Sequence, residues 1–122
     1  MKFNIKKKYK KSRLGQLTLK HGKVKTPVFM TVGTYGSARG LSESDLDSCN
    51  AEIMLCNAYH LMNKISKLCS SKSISLHDYI SWSKPILTDS GGYQVFSLSE
   101  HTKISRSGVT FKSPLNGDTI YL

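Results

Sequence analysis

The chain has 122 residues, 39% hydrophobic and 9% aromatic, and its 18 Lys and Arg against 8 Asp and Glu give a formal net charge of +10. This length is typical of one modest domain. No stretch reaches the roughly 20 consecutive apolar residues that a membrane span needs, and the basic N-terminus leads into no apolar signal segment. The composition therefore excludes a transmembrane helix and predicts a cytoplasmic protein.

The positive charge is concentrated at the N-terminus. Residues 1–25 contain ten Lys and Arg and no acidic residue, whereas the rest of the chain has eight basic and eight acidic residues. A basic arm, which we place at residues 1–13, suits a polyanionic partner, because each neutralised phosphate releases condensed counterions. A solvated, Lys-rich surface explains the pattern equally well. We expect the first dozen residues to fray or to lie exposed.

The three cysteines, Cys49, Cys56 and Cys69, show none of the spacing that zinc or redox sites use. Their odd number gives no complete set of disulfide pairs. They are interpreted as reduced, structural thiols, in line with a cytoplasmic location.

The first predicted elements are strands. Residues 14–28 predict two short strands around a tight turn at His21-Gly22, with Pro27 at the end. The apolar run at residues 28–32, which ends at Gly33, predicts a strand buried on both faces.

Helices and strands then alternate along the chain. A capping box from Ser42 to Asp45 predicts a helix start, and residues 53–56 predict a second buried strand. The next segment repeats apolar residues at helical spacing, which predicts an amphipathic helix of about three turns. Its apolar stripe consists of Leu61, Ile65 and Leu68.

Residues 85–88 predict a third short strand, with Pro85 at its tolerated first position. Alternation after Gly108 and an Asn116-Gly117 turn predict small hairpins. The order strand, helix, strand, helix, strand predicts parallel βαβ units and hence an α/β protein. Three such strands do not close a barrel, and the last residues lie in a predicted strand. We therefore expect the chain to be the front part of a larger protein.

The segment Asp89-Ser90-Gly91-Gly92-Tyr93 follows the third predicted strand. Loops at the carboxyl ends of parallel strands project into one crevice and commonly form the site. Glycines permit positive φ and close approach of a ligand to the backbone, whose N–H groups can bind a carbonyl or phosphate oxygen. The simpler interpretation is a turn in which Asp89 is a local cap.

Two further polar loops follow the other predicted strands. Asn57-Ala58-Tyr59-His60 offers a side-chain amide to a base or ribose, and an imidazole that can reach phosphate or stack. Gly33-Thr34-Tyr35-Gly36 is the third loop. A solvated histidine and ordinary turn glycines are the alternatives. Three polar loops at one face favour a site over three unrelated turns.

Four blocks of the sequence carry a family resemblance. They are TPVFMTVGTYG at residues 26–36, LCNAYHL at 55–61, PILTDSGGYQVFSL at 85–98 and GVTFKS at 108–113. In order and spacing they resemble the N-terminal portion of the bacterial queuine tRNA-ribosyltransferases, the tRNA-guanine transglycosylase family. The likeness extends from about Gly15 to Leu122, and the block at 88–98 is the most specific.

The resemblance implies a TIM (β/α)₈ barrel with a small antiparallel sheet at its N-terminus, of which residues 14–122 form an incomplete front part. It implies exchange of the wobble guanine in GUN-anticodon tRNAs for Asp, Asn, His and Tyr. The incoming base is 7-aminomethyl-7-deazaguanine, a precursor of queuosine. It also implies a homodimer, a nucleophilic aspartate and a zinc site of three Cys and one His, the last two beyond residue 122.

The resemblance assigns roles to residues of this chain. Asp89 matches the proton acceptor, which also binds the base. The rest of the base-binding segment is Ser90, Gly91, Gly92 and Tyr93, with Tyr93 placed to stack on the heterocycle. The positions that line the ribose and neighbouring-nucleotide pockets are Val32, Leu55, Asn57 and His60.

The chain departs from the family pattern at two places. Cys56 stands where the family usually has Gly, and Lys64-Ile65-Ser66 stands near the place of an Arg-Pro-Gly. Both departures affect local loop geometry and tRNA contacts. We expect a transglycosylase whose 122-residue chain is inactive alone and holds no zinc. The alternative is a non-catalytic remnant that binds RNA or a protein partner.

Overall fold

The computed structural model describes residues 1–69, 74–98, 102–113 and 117–121. Within these residues it contains three three-stranded sheets, and each follows chain order. The strands are β1 (Lys2–Tyr9), β2 (Ser12–Leu19), β3 (Gly22–Thr26), β4 (Thr31–Val32), β5 (Met54–Cys56), β6 (Ile86–Thr88), β7 (Lys103–Ser105), β8 (Gly108–Lys112) and β9 (Thr119–Tyr121). The helices are α1 (Glu43–Ser48), α2 (Ala58–Cys69), α3 (Leu76–Ile80) and α4 (Gly92–Leu98).

The N-terminal sheet pairs β1, β2 and β3 antiparallel, which confirms the predicted hairpin at His21-Gly22. Strand β1 was not predicted, because its run of lysines hides any alternation of apolar residues. Most of its residues are exposed, as expected of the basic arm. Pairing shifts by one residue between Ile5 and Lys7, which is a β-bulge in β1.

Residues of β3 and of the turn before it attach this sheet to the rest of the chain. Val24 is 1% exposed. The backbone N–H of Lys25 donates to Oε2 of Glu52 at 2.6 Å. The rings of His21 and His77 stack with their centroids 3.5 Å apart, and burial together with the neighbouring His21 lowers the pKa of His77. The sheet is therefore attached through β3 and the β2–β3 turn.

The central sheet is parallel, in the order β4-β5-β6, as the alternation of strands and helices predicts. Strand β5 is the middle strand, and its Met54 and Cys56 are buried. The main core lies between this sheet and helices α1, α2 and α3. Its buried members are Ala38, Leu46, Ala51, Met54, Cys56, Leu61 and Trp82.

The prediction for residues 28–32 was wrong in length and in burial. Only Thr31 and Val32 form a strand, and Phe29 and Val32 are 80% and 55% exposed. An apolar run is buried on both faces only when other elements cover both faces. Strand β4 is at the edge of its sheet, and the described residues leave much of this run uncovered.

The capping box of α1 is confirmed. The backbone N–H of Asp45 donates to Ser42 Oγ at 3.2 Å, and that of Ser42 donates to Asp45 Oδ2 at 2.8 Å. The predicted amphipathic helix is α2, in which Leu61 is buried and Ile65 packs against the core. The side chain of Leu68 lies outside the described residues.

The third sheet, β7-β8-β9, confirms the predicted small hairpins. Part of the predicted turn, Asn116, lies outside the described residues, as does Leu122. A second, smaller core joins this sheet to α2 and α4. Its buried members are Tyr59, Val95 and Phe111.

Among the described residues, none of the helices has the length and apolarity needed to cross a membrane. Cys49 is an exposed free thiol and Cys56 a buried one, as the thiol interpretation predicts for these two. The side chain of Cys69 lies outside the described residues.

Replacement of Ser42 by Ala tests the capping box. We expect a loss of about 1 kcal/mol in the free energy of unfolding, measured by urea denaturation at neutral pH. The hydroxyl and the backbone N–H of Ser42 lower the pKa of Asp45, so the part of the cap that depends on the Asp45 carboxylate is lost as the pH falls through that lowered pKa. The exposed Ser83→Ala is the control, and an equal loss in both variants would contradict the capping role.

Candidate functional site

The carboxyl ends of β5 and β6 lie side by side. The backbone N–H of Asp89 donates to the carbonyl of Cys56 at 3.1 Å, which extends the parallel pairing by one residue. The loops that start at Asn57 and at Asp89 therefore leave the sheet at the same edge. This juxtaposition was predicted from the strand order.

The Asp89 carboxylate is half-buried and accepts three hydrogen bonds. Its Oδ1 accepts from the backbone N–H of Ala58 at 3.0 Å and from that of Gly91 at 3.1 Å. Its Oδ2 accepts from Asn57 Nδ2 at 2.7 Å. The turn interpretation of Asp89 is thus correct for the Gly91 bond. The other two bonds join it to the first turn of α2, which a local cap does not explain.

Asn57 fixes the orientation of that carboxylate. Its side chain is 8% exposed, and its Oδ1 accepts from the backbone N–H of His60 at 3.1 Å. Because the amide oxygen caps α2, the amide nitrogen faces Asp89. The sequence indicated Asn57 as a ligand residue, whereas the structure also gives it the role of holding Asp89.

Cys56, at the end of β5, is fully buried beside this site. Burial, and secondarily the negative charge of Asp89, raise the pKa of its thiol. The thiol is therefore protonated at neutral pH and is not a nucleophile, because thiolate is the reactive form. Cys56 replaces the Gly that the family usually has here, and it is still paired with Thr88 of β6.

Gly91 has a backbone conformation and a location that exclude side chains. Its φ is +66°, and an added Cβ would lie 2.8 Å from the Cβ and 3.0 Å from the backbone N of Tyr59. Tyr59 is itself fully buried, with its ring 4.9 Å from that of Phe111. The loop after β6 is thus pressed onto the start of α2, which positions the Gly91 N–H toward Asp89.

The remaining residues of the segment face solvent. Ser90 is exposed, and its Oγ accepts from the backbone N–H of Gly92 at 3.3 Å. Tyr93, in the first turn of α4, is 78% exposed, so both faces of its ring are accessible. Helix α4 itself was not predicted, because the glycines that precede it indicated only a turn.

The third polar loop follows β4 and is held beside β5. The backbone N–H of Gly33 donates to the carbonyl of Leu55 at 2.7 Å. Val32, the last residue of β4, therefore pairs with Leu55, one residue before the end of β5. Val32 is 55% exposed and Leu55 is half-buried. The structure brings both to the edge that carries Asn57 and Asp89.

His60 is packed between aromatic rings. Its ring centroid lies 5.0 Å from that of Tyr35 and 5.3 Å from that of Tyr59. Lys64 Nζ lies 4.3 Å from the centroid of Tyr35, a cation–π contact. His60 is thus half-buried and in contact with two rings rather than fully solvated. The sequence placed Tyr35 in the third polar loop at this face, but it predicted neither the contact of its ring with His60 nor the approach of Lys64. Nothing local in the sequence specifies a contact between two loops.

Among the described residues, no group of three or more His, Cys, Asp or Glu side chains has the geometry of a metal site. Asp89 and His60 are engaged with separate partners.

Comparison with known proteins identifies the family. A protein-family model described as queuine tRNA-ribosyltransferase matches residues 8–122. The chain belongs to this family. It is 49% identical over all 122 residues to queuine tRNA-ribosyltransferase from Neisseria meningitidis serogroup C, 48% to that from Janthinobacterium sp. and 46% to that from Vibrio vulnificus. It covers 33%, 32% and 32% of these proteins, so it spans about a third of the length of the curated relatives it matches.

Membership of the queuine tRNA-ribosyltransferase family confirms the resemblance, and the structure adds how the matching blocks meet. The blocks that contain Val32, Leu55 and Asp89 end three adjacent parallel strands. The carboxylate, the Asn57 amide and the glycine loop form one hydrogen-bonded unit. Tyr93 and His60 lie on the two helices that start from this unit.

Replacement of Gly91 by Ala tests the close approach to Tyr59. Gly40→Ala is the matched control, because Gly40 also has positive φ, at +76°, but open space around it. We expect Gly40→Ala to cost about 1–2 kcal/mol of unfolding free energy from backbone strain alone. Gly91→Ala should cost about 1–3 kcal/mol more, because a backbone contact must shift. Equal losses in urea denaturation would contradict the contact.

Proposed function

We propose that the chain is the front part of a tRNA-guanine transglycosylase and that Asp89 is its base-binding proton acceptor. The substrate would be the wobble guanine of GUN-anticodon tRNAs, exchanged for 7-aminomethyl-7-deazaguanine. The observation that carries the proposal is the Asp89 carboxylate, held by Asn57, Ala58 and Gly91 at the carboxyl edge of the parallel sheet. It lies in the most specific of the family blocks.

The hydrogen bonds of Asp89 define what it can accept. An ionised carboxylate has about four lone-pair sites, and three are occupied. The free site is on Oδ2, which has only the Asn57 bond. One N–H of a purine-like base can bind there and transfer its proton as the new glycosidic bond forms. If the carboxylate binds both a ring N–H and an exocyclic amine of the base, one of its three present hydrogen bonds must be given up.

The neighbouring groups supply the rest of a base pocket. The exposed ring of Tyr93 offers a face for stacking on the heterocycle. The Ser90 hydroxyl and the backbone of Gly91 and Gly92 lie next to the carboxylate and offer small, close polar contacts. These contacts suit a flat heterocycle with several edge donors and acceptors.

The ribose side of the pocket would be formed by Val32, Leu55, Asn57 and His60. The two apolar side chains exclude water from the sugar carbon at which the bond changes. The ring of His60 is held by its aromatic neighbours, and its backbone is held by the Asn57 cap. Its imidazole would contact a ribose or phosphate oxygen. An oriented group loses less entropy on binding.

Base exchange through a covalent enzyme–RNA intermediate needs a second carboxylate as nucleophile. Among the described residues, Asp89 is the carboxylate at this edge, and its role as proton acceptor leaves the nucleophile to be supplied elsewhere. The resemblance assigns it, with the zinc ligands, to residues beyond 122. By the same resemblance, we propose a closed (β/α)₈ barrel and a homodimer for the whole enzyme.

Replacement of Asp89 by Asn tests the catalytic role. The assay uses a chimera of this chain with the remaining two thirds of the Neisseria meningitidis relative, and measures incorporation of labelled guanine into tRNA. We expect turnover to fall about 10²–10⁴-fold, because an amide cannot accept the proton. Affinity for tRNA should stay nearly unchanged. Asp47→Asn, on α1, is the control with the same change in charge.

An Asp89→Asn chimera with undiminished turnover would contradict the assignment. Loss of tRNA affinity equal to the loss of turnover would instead indicate a purely binding role. An inactive unsubstituted chimera would favour the non-catalytic alternative, an RNA-binding or partner-binding fragment.

The 122-residue chain alone should incorporate no labelled guanine above the level of its own Asp89→Asn variant. The reason is that one carboxylate cannot serve as nucleophile and proton acceptor in the same step. The measurement is the same exchange assay at high protein concentration. Incorporation that depends on Asp89 in the isolated chain would contradict this expectation.

A further inference from the structure

The tip of the β1–β2 hairpin carries four cations, which we call the basic tip: Lys8, Lys10, Lys11 and Arg13. Lys8 stands directly opposite Arg13 in the strand pairing. Lys10 and Lys11 form the two-residue turn, and Lys10 has a φ of +51°. The turn is closed by the Ser12 hydroxyl, which donates to the carbonyl of Tyr9 at 2.6 Å. The cations are thus placed by backbone pairing.

The basic tip encloses a recess. A concave space of about 340 Å³ is lined by the four cations together with Ile5 and Ser12. The lining contains no carboxylate, and in the described part of the chain no acidic side chain forms an ion pair with any of the four. Residues 1–25 contain no acidic residue at all. The charge of the recess is therefore not neutralised from within.

This arrangement costs folding free energy. Like charges directly opposite each other in an antiparallel pair repel, and a non-glycine residue at positive φ is strained. An anion that enters the recess removes the repulsion between Lys8 and Arg13. A chain of phosphates also releases counterions from several contacts at once, which a single small anion does not.

We propose that the basic tip binds the phosphodiester backbone of a helical RNA segment, independently of sequence. The identity of the partner as RNA rests on the proposed function. A recess flanked by cations fits a ridge of phosphates better than the plane of a membrane surface. Phosphate contacts of this kind hold an RNA without reading its bases.

The test measures binding to a blunt duplex of about 16 A–U pairs, which has no loop and no exchangeable guanine. The tip variant combines Lys8→Gln, Lys10→Gln, Lys11→Gln and Arg13→Gln. The control variant makes the same change in charge at exposed cations elsewhere: Arg39→Gln, Lys103→Gln, Arg106→Gln and Lys112→Gln. Fluorescence anisotropy of labelled duplex gives the affinity of each variant at several salt concentrations.

We expect the tip variant to bind about tenfold more weakly than the unsubstituted chain at about 100 mM salt. The slope of log K against log salt should fall by about 3, since each lost phosphate contact removes a little under one unit. The control variant should keep most of the affinity and slope. A Lys8→Arg, Lys10→Arg, Lys11→Arg variant should bind like the unsubstituted chain, because its charge is retained.

Equal losses in the tip and control variants would overturn the proposal, since they would show a response to net charge alone. Binding to phosphatidylserine vesicles without binding to the duplex would overturn it in favour of a membrane. Circular dichroism melts verify that the tip variant folds. We expect it to fold, because the substitutions remove the repulsion between Lys8 and Arg13. Asp89→Asn should leave duplex binding unchanged, so failure of the base site and failure of the basic tip are separately visible.

Discussion

The candidate site depends on one carboxylate that joins two distant segments. Asp89 and Asn57 are 32 positions apart in the chain, yet their side chains share a hydrogen bond at 2.7 Å. The same carboxylate accepts from the first residue of α2 and from the loop before α4. It therefore fixes how both helices leave the sheet. A group that holds the structure in this way is preorganised, and the cost of orienting it is met during folding, before any ligand binds.

Tyr59 supports the hydrogen-bonded unit around Asp89 from the side of the smaller core. Its ring packs with Phe111 in the smaller core, while its backbone is in contact with Gly91. The third sheet thus stabilises the loop beside the carboxylate although none of its residues belongs to the proposed pocket. Tyr93, by contrast, is outside both cores and keeps its ring in solvent. The site combines a rigid hydrogen-bonded floor with an exposed stacking surface.

Local signals predicted much of this architecture. The capping box at Ser42, the helical spacing of α2 and the apolar strands predicted at 53–56 and 85–88 are each encoded within a few residues. The parallel order follows from the alternation of strands and helices. Contacts between distant segments were not predictable: the packing of His60 between Tyr35 and Tyr59, and the approach of Gly91 to Tyr59, depend on how separate loops meet. The predicted burial of the strand at 28–32 was wrong for the same reason, because burial depends on which distant elements cover a strand. Family resemblance, rather than pattern, assigned Asp89 its chemistry.

The β-bulge in β1 has a consequence for sequence variation. If β1 continued past Ile5 without it, Lys7 would stand opposite Arg13, and Lys8 would lie on the other face of the sheet. Lys6 is the extra residue of the bulge and has no partner in β2. Beyond it, Lys8 and Arg13 are paired and lie on the same face of the sheet. The pairing of the outer half, from Lys7 to Tyr9, is thereby offset by one residue from that of the inner half, from Lys2 to Ile5. Loss of the one unpaired residue would therefore leave the inner register unchanged and keep Lys8 opposite Arg13.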